Sequence, residues 1–269
     1  MRVDLHLHTW VSDGDLPPAE LVRLAAAAGL DVIAVTDHDT AGGVGDALSA
    51  AADLPLSVVP GIEISTVWGS NELHILGYWI DPESQPIVQH QEQASRRRSV
   101  RMEAMVERLQ GLGVQISFAD VEVAAGTETR SLGRPHLARA LHAGGHTRFY
   151  GEAFARYIGN SGPAYVAEGF PVPPDAIATI HAAGGLAVWA HPPLPLLGDT
   201  LPLMVEWGLD GVECYRPGTD PGDLAKLETS TRAHGLFPTG GSDWHGPHRA
   251  ALGDFAVDAE RVRAVLRMA

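Results

Sequence analysis

The stretch that decides the fold is Arg-Val-Asp-Leu-His-Leu-His-Thr, residues 2–9. Apolar and polar residues alternate along it, which is the period-2 pattern of a β-strand. His6 and His8 therefore project from the same side of the strand, about 7 Å apart along it. Two imidazoles in this arrangement can bind one metal ion, and Asp13 follows in the loop just beyond. Taken alone, the pattern fits a strand with two partly exposed histidines equally well.

The composition indicates a globular protein with a large core. The chain has 269 residues, 45% of them hydrophobic, which suits one barrel-sized domain with a modest insertion. No run approaches the roughly 18 apolar residues of a membrane span, and we expect no signal peptide. The single cysteine, Cys214, excludes an internal disulfide framework and favours a reducing cytoplasm. It lies in an apolar run and is interpreted as a core residue.

The formal net charge is −14, and the chain has 13 histidines. A chain this acidic is not expected to bind nucleic acid over an extended surface. Carboxylates gathered in a cleft can instead be neutralised by divalent cations, which then attract an anionic substrate. We therefore expect a small anionic substrate rather than an extended nucleic acid, and no membrane partner.

Strand and helix patterns alternate along the chain, apart from one long helical block. Strand patterns cover residues 2–9, 31–36, 57–64, 72–80, 186–191 and 211–215, and a further segment runs through 237–245. Residues 85–165 look like a helical insertion, which leaves 1–84 and 166–269 for a β/α barrel. The predicted helix at 82–110 carries an arginine cluster at Arg96–Arg101, which is interpreted as a solvated helix face.

Polar residues recur at or near the ends of these strands. The set is His6, His8, Asp13, His38, Glu63, His74, His191, Asp243 and His245. Because active sites of parallel α/β folds gather at the carboxyl ends of strands, we expect these side chains to converge. Imidazole and carboxylate without thiolate suit Mn, Zn or Fe, and nine ligands predict two or three ions and hydrolysis. Taken singly, His74 or His191 would also fit a structural histidine, and Asp37 or Asp39 a helix cap.

The same residues stand in motifs that resemble, in order, those of the PHP (polymerase and histidinol phosphatase) family of metal-dependent phosphoesterases. The motifs are His6-x-His8 with Asp13, Thr36-Asp-His38-Asp, Pro60-Gly-Ile-Glu63, Glu72-Leu-His74, Ala190-His191-Pro and Gly241-Ser-Asp243-x-His245. The resemblance covers nearly the whole chain. It implies an α/β fold with a distorted seven-stranded, TIM-like β/α barrel. It also implies a trinuclear site, with Mn as the expected metal and Fe, Zn or Mg as alternatives.

The resemblance further implies how the ligands divide among the metals. The first metal would be held by His6, His8, Glu63 and Asp243. The second would be held by Glu63, His74 and His191. The third would be held by Asp13, His38 and His245. Glu63 would bridge the first two metals, and Glu63, His191 and Asp243 are the expected catalytic residues. No ligand of the family pattern is missing from the sequence. This argues against a degenerate, non-catalytic module of the kind attached to some polymerases.

Two segments of the insertion resemble the branch of the family that dephosphorylates nucleoside 3′,5′-bisphosphates and trims short RNA from its 5′ end. They are Gly133-Arg-Pro-His136-Leu-Ala-Arg-Ala-Leu and Ala153-Phe-x-Arg-Tyr-x-x-x-x-Gly-Pro-Ala-Tyr-Val166. The resemblance implies that Arg134 and His136 bind substrate. Helix capping and surface charge are the structural alternative for these two residues.

We therefore expect metal-assisted, in-line attack of water on a phosphomonoester, with the metals and Arg134 spreading the phosphoryl charge. His136 or His191 would assist the leaving oxygen. A phosphatase for histidinol phosphate or another small metabolite is one alternative, and a non-catalytic partner of a polymerase is another. An amidohydrolase-type C–N hydrolase is disfavoured, because none of the strand ends offers the bridging lysine of that family.

Overall fold

The computed structural model describes residues 1–167, 169–248 and 250–268. Glu168, Arg249 and Ala269, which fall inside the predicted domain ranges, lie outside the described residues. The chain divides into two compact units. Unit 1 comprises Met1–Gln91 and Pro171–Ala269, and unit 2 comprises Glu92–Phe170. The boundaries lie a few residues after those expected for the insertion, because one long helix continues across the first of them.

Unit 1 is built around a β-sheet of eight described strands, hydrogen-bonded in the order β7-β6-β5-β4-β3-β2-β1-β8. The strands are β1 Arg2–Leu7, β2 Val32–Val35, β3 Ser57–Trp68, β4 Asn71–Tyr78, β5 Leu186–Ala190, β6 Gly211–Tyr215, β7 Phe237–Gly240 and β8 Val257–Asp258. Leu7 also bridges to Trp244, just past β7, so the sheet curls into a nearly closed barrel. The predicted barrel is confirmed, with eight strands instead of seven.

The direction of β4 distorts the barrel. Neighbouring strands are parallel from β1 to β3 and from β5 to β7, but β4 is antiparallel to both β3 and β5. His74 is near a strand end, as the sequence indicated, but this end is not the carboxyl end at which the site was expected. It lies near the start of β4, where it pairs with Ser65 and Ala190. The reversed direction brings it to the edge at which the parallel strands end.

Helices cover the outside of the sheet in unit 1. They are α1 Pro18–Ala27, α2 Val44–Ala51, α7 Pro173–Ala182, α8 Leu194–Glu206, α9 Pro221–Ala233 and α10 Ala259–Val262, followed by a 3-10 turn at Val265–Met268. Leu21 of α1 packs with Ile33 and Val35 of β2 in one buried cluster. Cys214 is buried, as predicted, and burial raises the pKa of its thiol to about 11. Among the described residues, none of the helices combines the length and apolar character needed to cross a lipid bilayer.

Unit 2 is helical and has its own apolar core. Its helices are most of α3 Gln85–Gly111, then α4 Phe118–Ala125, α5 Arg134–Ala143 and α6 Tyr150–Ala153, which continues into a π-helical turn at Phe154–Ile158. Arg98 and Arg101 are buried, so the prediction of a solvated face was wrong for these two residues. Their guanidinium groups lie over aromatic rings, 5.5 Å from the Phe170 centroid and 5.6 Å from the Tyr165 centroid respectively. Apolar stems and planar heads allow arginines to be buried in this way.

Both connections to unit 2 leave unit 1 beside the edge at which the parallel strands end. Because β4 is antiparallel, the chain leaves β4 at the opposite edge of the sheet. The first turns of α3 then return it to the edge at which the parallel strands end. His90 of α3 donates to Asp39, just after β2, at 3.0 Å. At the second connection, Val67 near the end of β3 donates to the Pro171 carbonyl at 3.0 Å.

Gly241, which follows β7, shows how closely β7 approaches β1. A Cβ at this position would lie 2.4 Å from His6 Cβ and 2.5 Å from His6 N. Gly241→Ala should therefore force the strands apart and lower the free energy of unfolding by about 1–3 kcal/mol. Gly45→Ala in α2 is the control, because a Cβ there meets nothing within 4 Å. It should be neutral or stabilise by up to about 1 kcal/mol. Equal urea-unfolding stability of the two variants would contradict this account.

Candidate metal centre

Glu63 lies at the centre of the candidate site, fully buried within β3. Its Oε1 lies 2.9 Å from His74 Nδ1 and 2.9 Å from His191 Nε2. Its Oε2 lies 3.1 Å from His6 Nε2 and 3.1 Å from His38 Nδ1. One carboxylate therefore faces imidazoles that come from β1, β4 and the loops after β2 and β5.

His8 is the fifth imidazole around Glu63 and connects it to the remaining ligand candidates. Its Nε2 lies 3.3 Å from Glu63 Oε2 and 3.2 Å from Asp243 Oδ1, without the angles of a hydrogen bond. The His245 ring stacks on the His8 ring with centroids 4.1 Å apart. Asp13 Oδ1 lies 3.4 Å from His245 Nε2. The structure thus brings all nine predicted side chains into one cluster.

Three overlapping groups of these residues place one donor atom each within 4.8 Å of one another. The groups are His8, Asp13, His38 and His245; His6, His8, Glu63 and Asp243; and His38, Glu63 and His74. The second group is the set that the resemblance implied for the first metal. The other two contain most of the remaining implied ligands, while His191 contacts Glu63 from outside them. The clustering suggests divalent metals, and the assignment of individual ligands stays a prediction.

The buried ring nitrogens support this chemistry. Neither nitrogen of His8, nor Nδ1 of His38, has a hydrogen-bond partner among the described residues. Buried polar atoms are normally satisfied, and an imidazole nitrogen that faces carboxylate oxygens is a good donor to a divalent ion. A cation is therefore the partner that fits these atoms.

The charged groups of the cluster shift one another's pKa values. Burial would raise the pKa of Glu63, but His38 and the other imidazoles hold it well below its usual value. Burial would lower the pKa of His8, but Asp243 and Glu63 raise it to about 10. The pKa of His74 is also raised to about 10, against the effect of burial and chiefly by Glu63. His38 differs, since burial lowers its pKa to about 3 and keeps the ring neutral.

Asp37 and Asp39, for which helix capping was the alternative, hold loops of the site instead. Asp37 is buried and accepts from Thr9 N at 2.8 Å, which fixes the start of the loop that carries Asp13. Asp39 is also buried and accepts from Ser65 N at 3.0 Å, which ties the segment after His38 to β3.

Sequence reasoning missed Glu213 altogether. It is fully buried in β6, with Oε1 2.9 Å from His6 Nδ1. Its other oxygen accepts from His191 N at 2.8 Å. The signal in the sequence was a carboxylate within an apolar strand. A charge buried in such a strand requires hydrogen-bonding partners, which would have indicated that Glu213 contacts other polar residues.

The two predicted substrate residues lie in unit 2, at the start of α5. Arg134 is half-buried, donates to Asn160 Oδ1 at 2.6 Å and lies 5.6 Å from the Tyr165 ring centroid. His136 is buried, and its Nδ1 accepts from Gly133 N at 2.9 Å, which caps the helix. The capping alternative thus applies to His136, and the role of both residues in substrate binding stays a prediction.

Comparison with known proteins identifies the family. Residues 4–96 match the family model described as the PHP domain. The chain is 34% identical to the 5′-3′ exoribonuclease of Haemophilus influenzae, over 91% of this chain and 90% of the relative. The chain belongs to the PHP family. A second PHP relative is the 3′,5′-nucleoside bisphosphate phosphatase of Chromobacterium violaceum, 33% identical over 91% of this chain and 88% of the relative.

A solved structure agrees with this PHP assignment. The structure, from Bifidobacterium adolescentis and described as a metal-dependent phosphoesterase, superposes with a TM-score of 0.89. It is 35% identical and covers 98% of this chain and 95% of that one. The family predicted from the ordered motifs is confirmed, and the chain is a metal-dependent phosphoester hydrolase.

The pKa shifts predict how the stability of the metal-free PHP chain depends on pH. The pKa values of His8 and His74 are raised from 6.5 to about 10, so their stabilisation is complete below pH 6.5 and is lost toward pH 10. The lowered pKa of Glu63 gives stability that is lost as pH falls through the acid range. The lowered pKa of His38 costs stability below pH 6.5.

We therefore expect the free energy of unfolding of the metal-free protein to be highest near pH 6.5, the ordinary histidine value. It should fall toward pH 9, by up to about 1.4 kcal/mol per pH unit for each group that titrates. Urea unfolding with a chelator present measures this directly. Saturating Mn²⁺ should weaken the decline, since cations then replace the protons. A flat profile above pH 6.5 without metal would contradict the role given to His8 and His74.

Proposed function

We propose that this PHP chain hydrolyses phosphomonoesters of nucleotides, above all nucleoside 3′,5′-bisphosphates, giving nucleoside 5′-phosphate and phosphate. We include trimming of short RNA from the 5′ end in the proposal. The observation that carries it is the cluster around Glu63, a buried carboxylate whose two oxygens face five histidines. The relatives named as an exoribonuclease and a bisphosphate phosphatase support the nucleotide substrate.

The proposed cofactors are two or three divalent ions, with Mn²⁺ first and Fe, Zn or Mg as alternatives. The donor groups around His8, Glu63 and His38 would hold them, and their nitrogen and oxygen atoms suit these metals. When bound, the ions would activate water and offset the charge on the phosphoryl oxygens.

Glu63, His191 and Asp243 are the proposed catalytic residues. Glu63 directs Oε1 toward His191 and Oε2 toward the His6 side of the cluster, which is the arrangement that a bridging carboxylate needs. The side chains of Asp243 and His191 are 36% and 26% exposed, whereas Glu63 is buried. A substrate would therefore meet Asp243 and His191 first.

The proposed bridging role predicts that Glu63→Gln is more damaging than loss of one ligand of the third set. A bridging carboxylate neutralises two cations, and the amide cannot replace that charge. We expect kcat/KM for adenosine 3′,5′-bisphosphate to fall by more than about 100-fold, with loss of more than one ion, since even outer-sphere changes cost about 10–100-fold. Asp13→Asn, the matched control, should release mainly one ion. Wild-type activity in Glu63→Gln would end the bridging proposal.

Residues 85–165 are proposed as a substrate cap. The first support is that both chain connections leave unit 1 beside the edge that carries the metal-ligand candidates. The second is that Arg134 of unit 2 is only half-buried, so its guanidinium is partly open to solvent. Arg134 is the proposed binder of the phosphate that is not cleaved, because a planar guanidinium bonds phosphate oxygens in pairs.

The proposed partner is a small nucleotide or short oligonucleotide, without an extended nucleic-acid surface. The net charge of −14 supports this, because a long polyanion would be repelled. A cytoplasmic location is proposed on the single, buried cysteine.

The substrate proposal predicts that Arg134→Ala affects a bisphosphate more than a monophosphate. Loss of a charged hydrogen bond is worth about 1.5–3 kcal/mol, or roughly tenfold or more in kcat/KM. Phosphate release is measured from adenosine 3′,5′-bisphosphate, a nucleoside monophosphate and histidinol phosphate. The wild type should prefer the bisphosphate, and the variant should lose most of that preference.

Arg96→Ala is the control for this substitution. The Arg96 side chain is 80% exposed on α3, so its loss should leave the substrate preference unchanged. An equal loss on both nucleotides in Arg134→Ala would show that Arg134 does not bind the second phosphate. A preference for histidinol phosphate in the wild type would overturn the nucleotide assignment itself.

A further inference from the structure

We propose that Glu213 is a positioning residue, which orients His6 and His191 together for metal binding. The proposal rests on the metal-binding part of the proposed function. Glu213 projects from β6, is fully buried and contacts a different histidine with each oxygen. Its contacts are a side-chain bond to His6 and a backbone bond to His191.

The contact with His6 selects the ring nitrogen that faces the donor cluster. Because an ionised carboxylate only accepts, His6 Nδ1 must carry the hydrogen of the 2.9 Å bond to Glu213 Oε1. Without an ion, Nε2 can donate to Glu63 in the same way; a bound ion would displace that hydrogen, and the lone pair of Nε2 would then be its ligand. That atom lies 3.1 Å from Glu63 Oε2 and 3.6 Å from Asp243 Oδ1, inside the proposed metal site. Glu213 thus holds the imidazole in the tautomer that can bind an ion.

The contact with His191 holds an unfavourable backbone in place. His191 has φ +29°, a region that residues other than glycine rarely adopt. Its N–H donates to Glu213 Oε2 at 2.8 Å, directly after β5 ends. With the backbone so fixed, His191 Nε2 lies 2.9 Å from Glu63 Oε1.

Only a carboxylate can accept from both groups at once. In Glu213→Gln one oxygen becomes an NH₂ donor, which then faces either His6 Nδ1 or the His191 N–H. In the first case His6 must turn its N–H toward the metal site, and in the second two donors oppose each other. His6 and His191 belong to different implied metal sets, so one substitution should weaken more than one ion site.

The chain offers a matched control in Glu72. This carboxylate also contacts a ligand candidate, with Oε1 3.3 Å from His74 Nε2. It reaches one such histidine instead of two, and its side chain is 25% exposed rather than buried. Glu72→Gln should therefore weaken metal binding less than Glu213→Gln does.

The experiment titrates metal-free protein with Mn²⁺ and with Zn²⁺ against a chelating dye, without substrate. Wild type, Glu213→Gln, Glu213→Asp and Glu72→Gln are compared, and far-UV circular dichroism establishes that each is folded. Glu213→Gln should bind about 10–100-fold more weakly and retain fewer ions. Long-range ¹H–¹⁵N spectra of the Zn²⁺-loaded proteins report the His6 tautomer, with its signals assigned by their loss in His6→Asn. Wild type should show hydrogen on Nδ1, and Glu213→Gln should lose that pattern.

Each outcome decides the proposal. Weaker metal binding by Glu213→Gln together with a changed His6 spectrum supports the proposal. Partial retention of metal affinity and of the His6 spectrum by Glu213→Asp also supports it, because aspartate keeps two acceptor oxygens on a shorter side chain. Wild-type affinity in a folded Glu213→Gln overturns it, and so does weak binding with an unchanged His6 signature. Failure of both Glu213 variants to fold also overturns it, because Glu213 would then be a general requirement for folding. A wild type that binds neither metal would refute the proposed function itself.

Discussion

The burial of Glu63 is the constraint on which the rest of the barrel depends. A fully buried carboxylate is tolerated only if it has polar partners, and here imidazoles contact both of its oxygens. The partners His6, His74 and His191 come from β1, β4 and the loop after β5, so these elements must all reach one edge of the sheet. β3 is correspondingly long and continues past the end of β2, which places Glu63 beside the residues that follow β2.

Backbone strain is concentrated at the same edge. Among the described residues other than glycine, φ is positive at Asp39, His191 and Asp243, and also at Trp79. The first three are ligand candidates or adjoin one, and each such position costs of order 1–3 kcal/mol. Backbone bonds stabilise them: Asp39 N donates to the Glu63 carbonyl at 2.8 Å, and His191 N donates to a carboxylate. The strained turns are therefore retained because they aim side chains that regular strand ends would direct elsewhere.

Much of this site could be predicted from the sequence, because polar residues after apolar runs mark the carboxyl ends of parallel strands. The direction of β4 could not, since the alternation of apolar and polar residues shows a strand but not which way it runs beside its neighbours. Two-residue β8 is too short to show any period. Arg98 and Arg101 resembled a solvated face because the rings that cover them come from distant residues, Tyr165 and Phe170. Glu213 could not be assigned a role, because the apolar run around it indicates that it is buried but not which residues pair with its charge.

The charges of the cluster also indicate how metal affinity depends on pH. The pKa values of His8 and His74 near 10 mean that protons occupy these rings at neutral pH and serve as the cations that the carboxylates need. Metal binding would exchange these protons for ions, so metal affinity should rise with pH. His38 differs, because burial lowers its pKa to about 3, so an ion that binds there displaces no proton.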